Sequence, residues 1–247
     1  MDFLKLDSLK AKLAAMRSLN VGELKRLRDD FNIEFTYDTN AIEGSTLTLR
    51  ETALILQEGV TIAEKPLRMH LDAIGHRDAF DFVVKAAETS DKLTERQIKE
   101  IHSLVLMCDN ENKGVYRNVP VTIQGALHAP LQPYLIASQM ETLIIDYEKM
   151  KCEKHIIEAI SEFHLRFEDI HPFIDGNGRT GRLIINLELI KAGFLPINIK
   201  FADKLKYYAC FDEYFKSEPR KPDALTKLIL KYEIEEIEKR VKDMGGK

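Results

Sequence analysis

Cysteine is scarce in this chain of 247 residues. The three cysteines, Cys108, Cys152 and Cys210, lie far apart in the sequence and form no Cys-x-x-Cys pair. This spacing indicates neither a disulfide framework nor a zinc knuckle. We therefore expect a reducing, cytoplasmic setting.

Long apolar runs and an excess of positive charge are also missing. No stretch approaches the roughly 18 continuous apolar residues of a membrane span. The first residues are interrupted by charges, so we expect no signal peptide. The chain has 36 Lys and Arg residues against 40 Asp and Glu, a formal net charge of −4. Since binding to duplex DNA depends on a local excess of basic residues, we expect no nucleic-acid partner. Because no apolar run is long enough to span a bilayer, we expect no membrane partner either.

Helical spacing dominates the apolar residues, and alternating strand patterns are nearly absent. Leu24, Leu27, Phe31 and Phe35 follow one another at steps of three and four residues, which is typical of an amphipathic helix. Two capping boxes, Thr48 to Glu51 and Thr94 to Gln97, predict further helix starts. The sequence therefore predicts an all-α protein of one large domain or two small ones.

One segment departs from the helical pattern. Between Val115 and Leu135 three prolines and a glycine interrupt a β-leaning run from Val119 to Ile123. This pattern suits a short exposed hairpin better than a helix. A plain connecting loop is the alternative.

The most informative stretch is His-Pro-Phe-Ile-Asp-Gly-Asn-Gly-Arg-Thr-Gly-Arg, residues 171–182. Apolar residues at helical spacing lie on both sides of it, so it is predicted to connect two buried helices. Glycines on either side of Asn177 allow successive backbone N–H groups to point into one concavity. Together with the N-terminus of the second helix, they predict an anion-binding site.

The charged residues of this stretch indicate a polyphosphate ligand. Arg179 and Arg182 lie three residues apart in the first turn of the helix, where acidic side chains are normally preferred. A ligand with several phosphates would supply the missing negative charge. Asp175 offers the single carboxylate that Mg²⁺ commonly takes from a protein, and His171 is suited to act as a general base.

The same residues allow two other interpretations. In the first, the glycines only permit close packing of two helices, His171 is a core residue and the arginines are solvated. In the second, His164 and His171 bind a metal ion together with Glu168, but the sequence has no His-Glu-x-x-His motif and no obvious third ligand, and Pro172 disfavours a helical His171. The complete combination of residues favours the phosphate site over both.

The twelve residues match the signature of the Fic family, His-Pro-Phe-x-Asp-Gly-Asn-Gly-Arg-x-x-Arg. The flanking Phe163 to Phe167 and Thr46 to Thr52 also resemble Fic proteins. This resemblance implies a compact helical Fic fold with a small β-hairpin flap. It also implies transfer of AMP from ATP to a Ser, Thr or Tyr hydroxyl of a target protein, with Mg²⁺.

The resemblance implies a role for each motif residue. His171 is the base and Asp175 the Mg²⁺ ligand. The nucleotide phosphates are held by Gly176, Asn177 and Gly178 at the α-phosphate, Arg179 at the β-phosphate and Arg182 at the γ-phosphate. Val121 and Ile123 lie in the flap that docks the target, and Tyr208 lines the adenine pocket or belongs to the core.

A second stretch, Thr39-Asn-Ala-Ile-Glu43-Gly, resembles the inhibitory helix of Fic proteins, here placed at about residues 22–43. The resemblance implies that Glu43 pairs with Arg182 and thereby removes the partner of the γ-phosphate. Glu43 could instead orient a water molecule that removes AMP from a modified protein. A further alternative is a protein that binds nucleotide and interacts with partners without catalysis.

We expect three segments along the chain. Residues 1–90 form an N-terminal helical region that includes the inhibitory helix, residues 91–200 the Fic catalytic core and residues 201–247 C-terminal helices. A homo-oligomer is compatible with the sequence.

Overall fold

Ten α-helices make up most of the described part of the chain. The computed structural model describes residues 1–16, 19–89, 92–122 and 130–245. The helices are α1 (Phe3–Ala14), α2 (Val21–Ile42), α3 (Leu49–Glu58), α4 (Leu67–Thr89), α5 (Glu95–Val105), α6 (Ile136–Glu153), α7 (Ile156–Ile170), α8 (Asn177–Lys191), α9 (Lys204–Lys216) and α10 (Asp223–Gly245). Short 3₁₀ turns at Pro133–Leu135 and Phe201–Asp203 precede α6 and α9. The predicted all-α class is confirmed.

Local signals fix where several helices begin. The side chains of Thr48 and Thr94 accept hydrogen bonds from the backbone N–H groups of Glu51 and Gln97. The side chains of Glu51 and Gln97 in turn accept from the backbone N–H groups of Thr48 and Thr94. Both predicted capping boxes are therefore confirmed. Asn20 makes a third one at the start of α2. Each box satisfies backbone donors that the first turn of a helix cannot satisfy itself.

Helix α8 lies at the centre of the molecule and packs against α4, α5 and α7. Every residue from Arg179 to Leu189 is buried, including polar ones such as Asn186 and Glu188. A helix enclosed on all sides is held in position along its whole length. The N-terminus of α8 therefore has a fixed place against the end of α7.

One hydrophobic cluster contains residues from all three predicted segments, among them Leu6, Phe35, Val105, Leu187 and Ile237. Helix α1 packs against α10, which brings the two ends of the described chain together. The division at residues 90 and 200 stays a prediction.

The predicted β-hairpin is not seen in the described residues. Val119, Val121 and Thr122 have no regular secondary structure, and Ile123 lies outside the described residues. Pro120 lacks the N–H that a strand ladder requires, which weakens the β-leaning pattern at its centre. Among the helices of the described ranges, none is long and apolar enough to cross a membrane.

Candidate active site

His171 is the first residue after α7 and has a left-handed backbone conformation, with φ 49° and ψ 62°. Its N–H donates to the carbonyl of Phe167 at 3.0 Å, which closes the last turn of the helix. The following proline disfavours helical backbone at His171, as the sequence predicted. The chain turns away from the helix axis here, and the imidazole remains 19% exposed at the turn.

The loop between His171 and α8 is held by the side chain of Asn177. Its Oδ1 accepts from the N–H of Phe173 at 2.9 Å, and its Nδ2 donates to the carbonyl of the same residue at 2.8 Å. Asn177 is 2% exposed, so these bonds are shielded from water. Because both polar atoms of the amide are engaged, Asn177 fixes the shape of the loop and leaves its backbone N–H for an anion.

His102 of α5 supports the loop from the opposite side. Its Nδ1 accepts from the N–H of Gly114 at 2.8 Å, so its Nε2 carries the proton and donates to the carbonyl of Asp175 at 2.9 Å. The ring stacks on Phe173 with centroids 3.6 Å apart. Burial, reinforced by the charge of Arg179, lowers the pKa of His102 to about 4. The neutral ring is therefore a constant support at physiological pH.

The N-terminus of α8 forms the floor of the site. Gly176 precedes the helix with φ 77°, a conformation that favours glycine. The first hydrogen bond of the helix runs from Thr180 N–H to Gly176 carbonyl at 3.0 Å. The N–H groups of Asn177, Gly178 and Arg179 precede it, and such groups together with the helix dipole attract anions.

Arg179 and Asp175 belong to a charge network with two residues of α4. Arg179 Nη1 lies 2.9 Å from Asp72 Oδ1, and its Nη2 lies 3.5 Å from Asp175 Oδ1. Arg68 donates to Asp175 Oδ2, while Gly176 N–H donates to Asp175 Oδ1 at 2.6 Å. Burial favours the neutral acid, but Arg179, the Gly176 N–H and Arg68 outweigh it and hold the pKa of Asp175 below its usual range.

Arg182 lies one helical turn deeper and is 2% exposed. Its Nη2 lies 2.6 Å from Oε1 of Glu43, the residue that caps α2. Its Nε donates to Oγ1 of Thr39 at 2.7 Å. Burial alone would lower the pKa of Arg182, but the carboxylate of Glu43 outweighs it and raises that pKa further. The sequence-predicted pairing of the end of α2 with the motif is thus present.

The carboxylate of Glu43 also lies directly above the anion-binding turn. A Cβ atom placed on Gly178 would lie 2.4 Å from Glu43 Oε1 and 3.1 Å from Arg182 Nη1. A larger residue at this position would have to push the Glu43 carboxylate aside. The side chain of Glu43 is 37% exposed, so it reaches the buried arginine from the open side of the site.

Glu168 connects His171 with this ion pair. Its Oε2 lies 3.8 Å from His171 Nδ1, and a Cβ atom on Gly181 would lie 2.8 Å from its Oε1. Burial and the charge of Glu43 raise the pKa of Glu168 to about 8, against the opposing effect of Arg182. Most of the Glu168 carboxyl groups therefore carry a proton at neutral pH.

The comparisons with known proteins agree with this geometry. Residues 92–189, which include the whole motif, match the Fic/DOC family. Protein adenylyltransferase Fic of Nematostella vectensis is 34% identical over 209 residues, and protein adenylyltransferase fic-1 of Caenorhabditis elegans is 32% identical over 191 residues. The chain belongs to the Fic family. The matched regions cover 82% and 75% of this chain but 48% and 37% of the two relatives, so the chain spans about half or less of their length.

Solved structures of Fic proteins share the fold over nearly the full length. A Fic domain containing signaling protein from Bacteroides thetaiotaomicron has a TM-score of 0.88 at 26% identity, with 98% of each chain covered. Fic-1 from C. elegans has a TM-score of 0.83 at 26% identity and covers 98% of this chain and 71% of its own. The similarity therefore includes helices on both sides of the motif.

The remaining sequence-predicted residues of this Fic chain lie apart from the motif loop. Tyr208 is 40% exposed on α9, and its hydroxyl donates to the carbonyl of Ile42 at 3.4 Å, next to Glu43. Val121 lies in the irregular segment, and Ile123 is outside the described residues. His164 does not share a metal site with His171, because its Nε2 pairs with the hydroxyl of Tyr207 at 2.6 Å in the core.

Sequence reasoning missed four residues that shape the site, namely Arg68, Asp72, His102 and Arg117. Each lies more than 50 residues from the motif residue that it contacts. Only the capping of α5 gave an indirect signal, since it placed His102 on the apolar face of a predicted helix. Their roles depend on tertiary contacts.

Proposed function

We propose that this chain is a protein adenylyltransferase that transfers AMP from ATP to a hydroxyl group of a target protein. The observation that carries the proposal is the meeting of His171, the open N-terminus of α8 and two buried arginines around one short loop. Two relatives that are 34% and 32% identical to this chain are named protein adenylyltransferases.

His171 would accept the proton of the attacking hydroxyl. The hydroxyl oxygen forms a bond to the α-phosphorus, the bond from that phosphorus to the bridging oxygen breaks, and pyrophosphate leaves with the electron pair. In such a reaction most of the rate enhancement comes from positioning and from stabilising charge on the phosphoryl oxygens. The fixed left-handed backbone of His171 supports this role, because it holds the base at one point of the rim.

The phosphate groups are assigned along α8. The backbone N–H groups of Asn177 and Gly178, with the turn at Gly176, hold the α-phosphate. Arg179 holds the β-phosphate and Arg182 the γ-phosphate. Both arginines are less than 5% exposed, which strengthens their attraction to an anion that replaces their present carboxylate partners.

The residues fit a magnesium ion. Asp175 presents a carboxylate that is 45% exposed beside the anion-binding turn, and Arg179 and Arg68 favour its ionised form. Mg²⁺ commonly takes only one or two carboxylates from a protein and completes its shell with phosphate oxygens and water. Bound there, Mg²⁺ would neutralise charge on the phosphates.

Glu43 is proposed to inhibit the forward reaction. It occupies Arg182 at 2.6 Å and lies above Gly178, so a γ-phosphate and the Glu43 carboxylate compete for one space and one guanidinium. ATP would then bind in an unproductive pose. This autoinhibition is supported by the burial of Arg182, since a buried guanidinium needs acceptors and the Glu43 carboxylate occupies the one that a γ-phosphate would take.

The reverse reaction is the second candidate. Glu43 is 37% exposed while paired, so its carboxylate reaches both the open site and the buried arginine. In this role it would orient a water molecule that removes AMP from a modified protein.

The segment of Val121 and Ile123 would dock the target backbone by strand addition, and Tyr208 would line the adenine pocket.

The decisive experiment incubates the purified chain, its Glu43→Gly variant and its His171→Ala variant with ATP, Mg²⁺ and lysate proteins. Mass spectrometry then locates AMP on Ser, Thr or Tyr residues. A second arm offers AMP-modified protein and follows its loss. Absence of AMP transfer in both wild type and Glu43→Gly would reject the forward reaction.

A cytoplasmic location belongs to the proposal and is supported by the three free cysteines.

A further inference from the structure

Arg117 is a buried cation that none of the assignments above uses. It lies in the segment after α5 and is 5% exposed. Among the described residues no Asp or Glu pairs with it, and burial lowers its pKa. A buried guanidinium in that position must be stabilised by other acceptors.

Four carbonyl groups provide this stabilisation. Arg117 Nε donates to the carbonyl of His171 at 2.8 Å, and Nη2 donates to Ile170 at 3.4 Å. The same guanidinium donates to Val119 at 3.0 Å and to Leu131 at 2.5 Å. Its backbone N–H adds a bond to the carbonyl of Pro172 at 3.0 Å. The guanidinium and backbone of one residue therefore hold three consecutive carbonyls, at residues 170–172.

This arrangement caps the C-terminus of α7. The last carbonyls of a helix have no intrahelical donors and lie at the negative end of its dipole, where a cation is favoured. A left-handed conformation is unfavourable for a residue other than glycine, so it persists only where surrounding contacts impose it. The bond from Arg117 Nε to the carbonyl of His171 is one such contact from outside the helix.

We propose that Arg117 is a positioning residue for His171. It fixes the backbone from which the imidazole projects, and it ties that backbone to Val119 and Leu131. Val119 precedes Val121, in the described part of the segment proposed to dock the target. The base and the start of this segment thus share one anchor. The inference rests on the proposed function for its effect on the reaction, but not for its geometry.

The planar fork of arginine is essential to this role. Its five N–H donors point in fixed directions and reach carbonyls on separate segments, whereas a lysine ammonium on a flexible stem does not reproduce that geometry. Arg117→Lys keeps the charge and loses the fork. Arg117→Met keeps much of the volume and loses both.

The test uses the Glu43→Gly background, with Arg166→Met as the matched control. Arg166 lies on α7 and pairs with Asp146 at 2.9 Å, away from the loop. We expect Arg117→Lys to lower kcat for AMP transfer about 100-fold, because a displacement of about 1 Å of a catalytic group has an effect of that size. The KM for ATP and the Kd of a non-hydrolysable ATP analogue should change less than about threefold, because the hydrogen bonds of Arg117 go to residues 119, 131 and 170–172 and the phosphate contacts are assigned to α8.

A second readout follows the imidazole of His171 by nitrogen NMR, with its signal assigned by its loss in His171→Ala. The signal and its titration should move in Arg117→Lys and stay in place in Arg166→Met. Guanidinium added to Arg117→Met should restore part of kcat if that variant folds, and Arg117→Lys decides the question if it does not. Unchanged kcat and an unmoved His171 signal would overturn the inference, as would a loss of kcat in parallel with nucleotide affinity and thermal stability.

The two readouts separate this inference from the proposed function. If the Glu43→Gly parent transfers no AMP but the His171 signal moves only in the Arg117 variants, the function is wrong and the positioning role stands. If the parent transfers AMP and Arg117→Lys matches it in both readouts, the function stands and the positioning role is wrong.

Discussion

Thr39 holds the guanidinium of Arg182 with two oxygen atoms. Its Oγ1 accepts from Nε at 2.7 Å, and its carbonyl accepts from Nη2 at 3.2 Å. Thr39 is 1% exposed, whereas the Glu43 side chain is 37% exposed. The contact between α2 and the motif therefore has a buried part at Thr39 and a more open part at Glu43, which is the part that the proposed inhibition assigns to competition with a phosphate.

Removal of the Glu43 carboxylate, the more open part of this contact, should increase the proposed AMP transfer. We expect Glu43→Gly to raise AMP transfer, including self-modification, by about tenfold or more, because a charge-assisted hydrogen bond of roughly 1.5–3 kcal/mol no longer competes with the γ-phosphate. Glu43→Gln should have a similar but smaller effect. Glu34→Gln is the control, since Glu34 lies on the same helix and pairs with Lys200 at 2.7 Å. Equal incorporation of labelled AMP in wild type and Glu43→Gly would contradict the inhibitory role.

Loss of the Thr39 hydroxyl, the buried part of this contact, should lower stability and raise AMP transfer only slightly. Thr39→Val keeps the shape of the side chain but leaves Nε of Arg182 without its acceptor, which costs about 1–3 kcal/mol of stability. We expect a lower Tm and a smaller rise in AMP transfer than in Glu43→Gly, because Glu43 still blocks the γ-phosphate. Thr39→Ser retains the hydroxyl and should resemble wild type. A Thr39→Val protein that is as active as Glu43→Gly would show that the hydroxyl, not the carboxylate, controls the site.

Removal of the base should separate chemistry from binding. We expect His171→Ala to abolish AMP transfer in the Glu43→Gly background, since no other group at the rim is assigned to take the proton. Affinity for an ATP analogue, measured by calorimetry, should stay within about threefold because the phosphate contacts lie on α8. AMP transfer above a tenth of the parent rate would exclude His171 as the base.

Arg68 should compete with the metal ion. Its side chain is 62% exposed and donates to Asp175, so a cation at that carboxylate must displace it. We expect Arg68→Gln to lower the half-saturating Mg²⁺ concentration about two- to fivefold, because exposed ion pairs contribute at most about 1 kcal/mol. Mn²⁺ binding in the presence of ATP gives a readout independent of activity. Arg96→Gln, which removes an exposed pair with Glu100, is the control. A higher Mg²⁺ requirement in Arg68→Gln would mean that Arg68 helps to hold the metal complex.

Glu233 should make stability depend on pH. It is fully buried on α10, accepts from the N–H of Leu195 at 2.9 Å, and burial raises its pKa to about 8 from the ordinary value of 4.5. Between these values the folded state binds more protons than the unfolded state, so the free energy of unfolding falls as pH rises from about 4.5 to about 8. Glu233→Gln removes this ionisation and keeps the acceptor.

We therefore expect Glu233→Gln to match the Tm of wild type near pH 4.5 and to exceed it near pH 9 by several degrees, since about 1 kcal/mol corresponds to about 2–4 °C. Glu235→Gln on the exposed side of the same helix should show no such difference. A Tm difference that does not change with pH would contradict the raised pKa.

The sequence predicts the motif loop better than the residues that hold the loop in place. The order of residues within the motif is sufficient to predict the loop, because glycine, proline and the paired arginines act on the backbone within a few residues of themselves. Local order also suffices for helix starts such as those at Thr48 and Thr94. The pairing of Glu43 with Arg182 could be proposed only through resemblance, since 139 residues separate them.

The rest of the support could not be read locally. His102 and Arg117 are ordinary residue types, and their roles arise only when α5 and the following segment fold against the end of α7. The hairpin was expected because Val119, Val121 and Ile123 alternate around Pro120. The alternation reflects side-chain preference, whereas a ladder also requires N–H donors and a partner strand.

The left-handed backbone of His171 favours glycine for stability, whereas the proposed catalytic role requires an imidazole. Glycine is the residue that best suits such a position after a helix, so the imidazole is retained at some cost to stability. A lineage under selection for a well-folded protein alone would drift towards glycine here. The substitution His171→Gly would remove the base and leave the fold intact. Descendants that only bind nucleotide could therefore arise from this fold by one substitution.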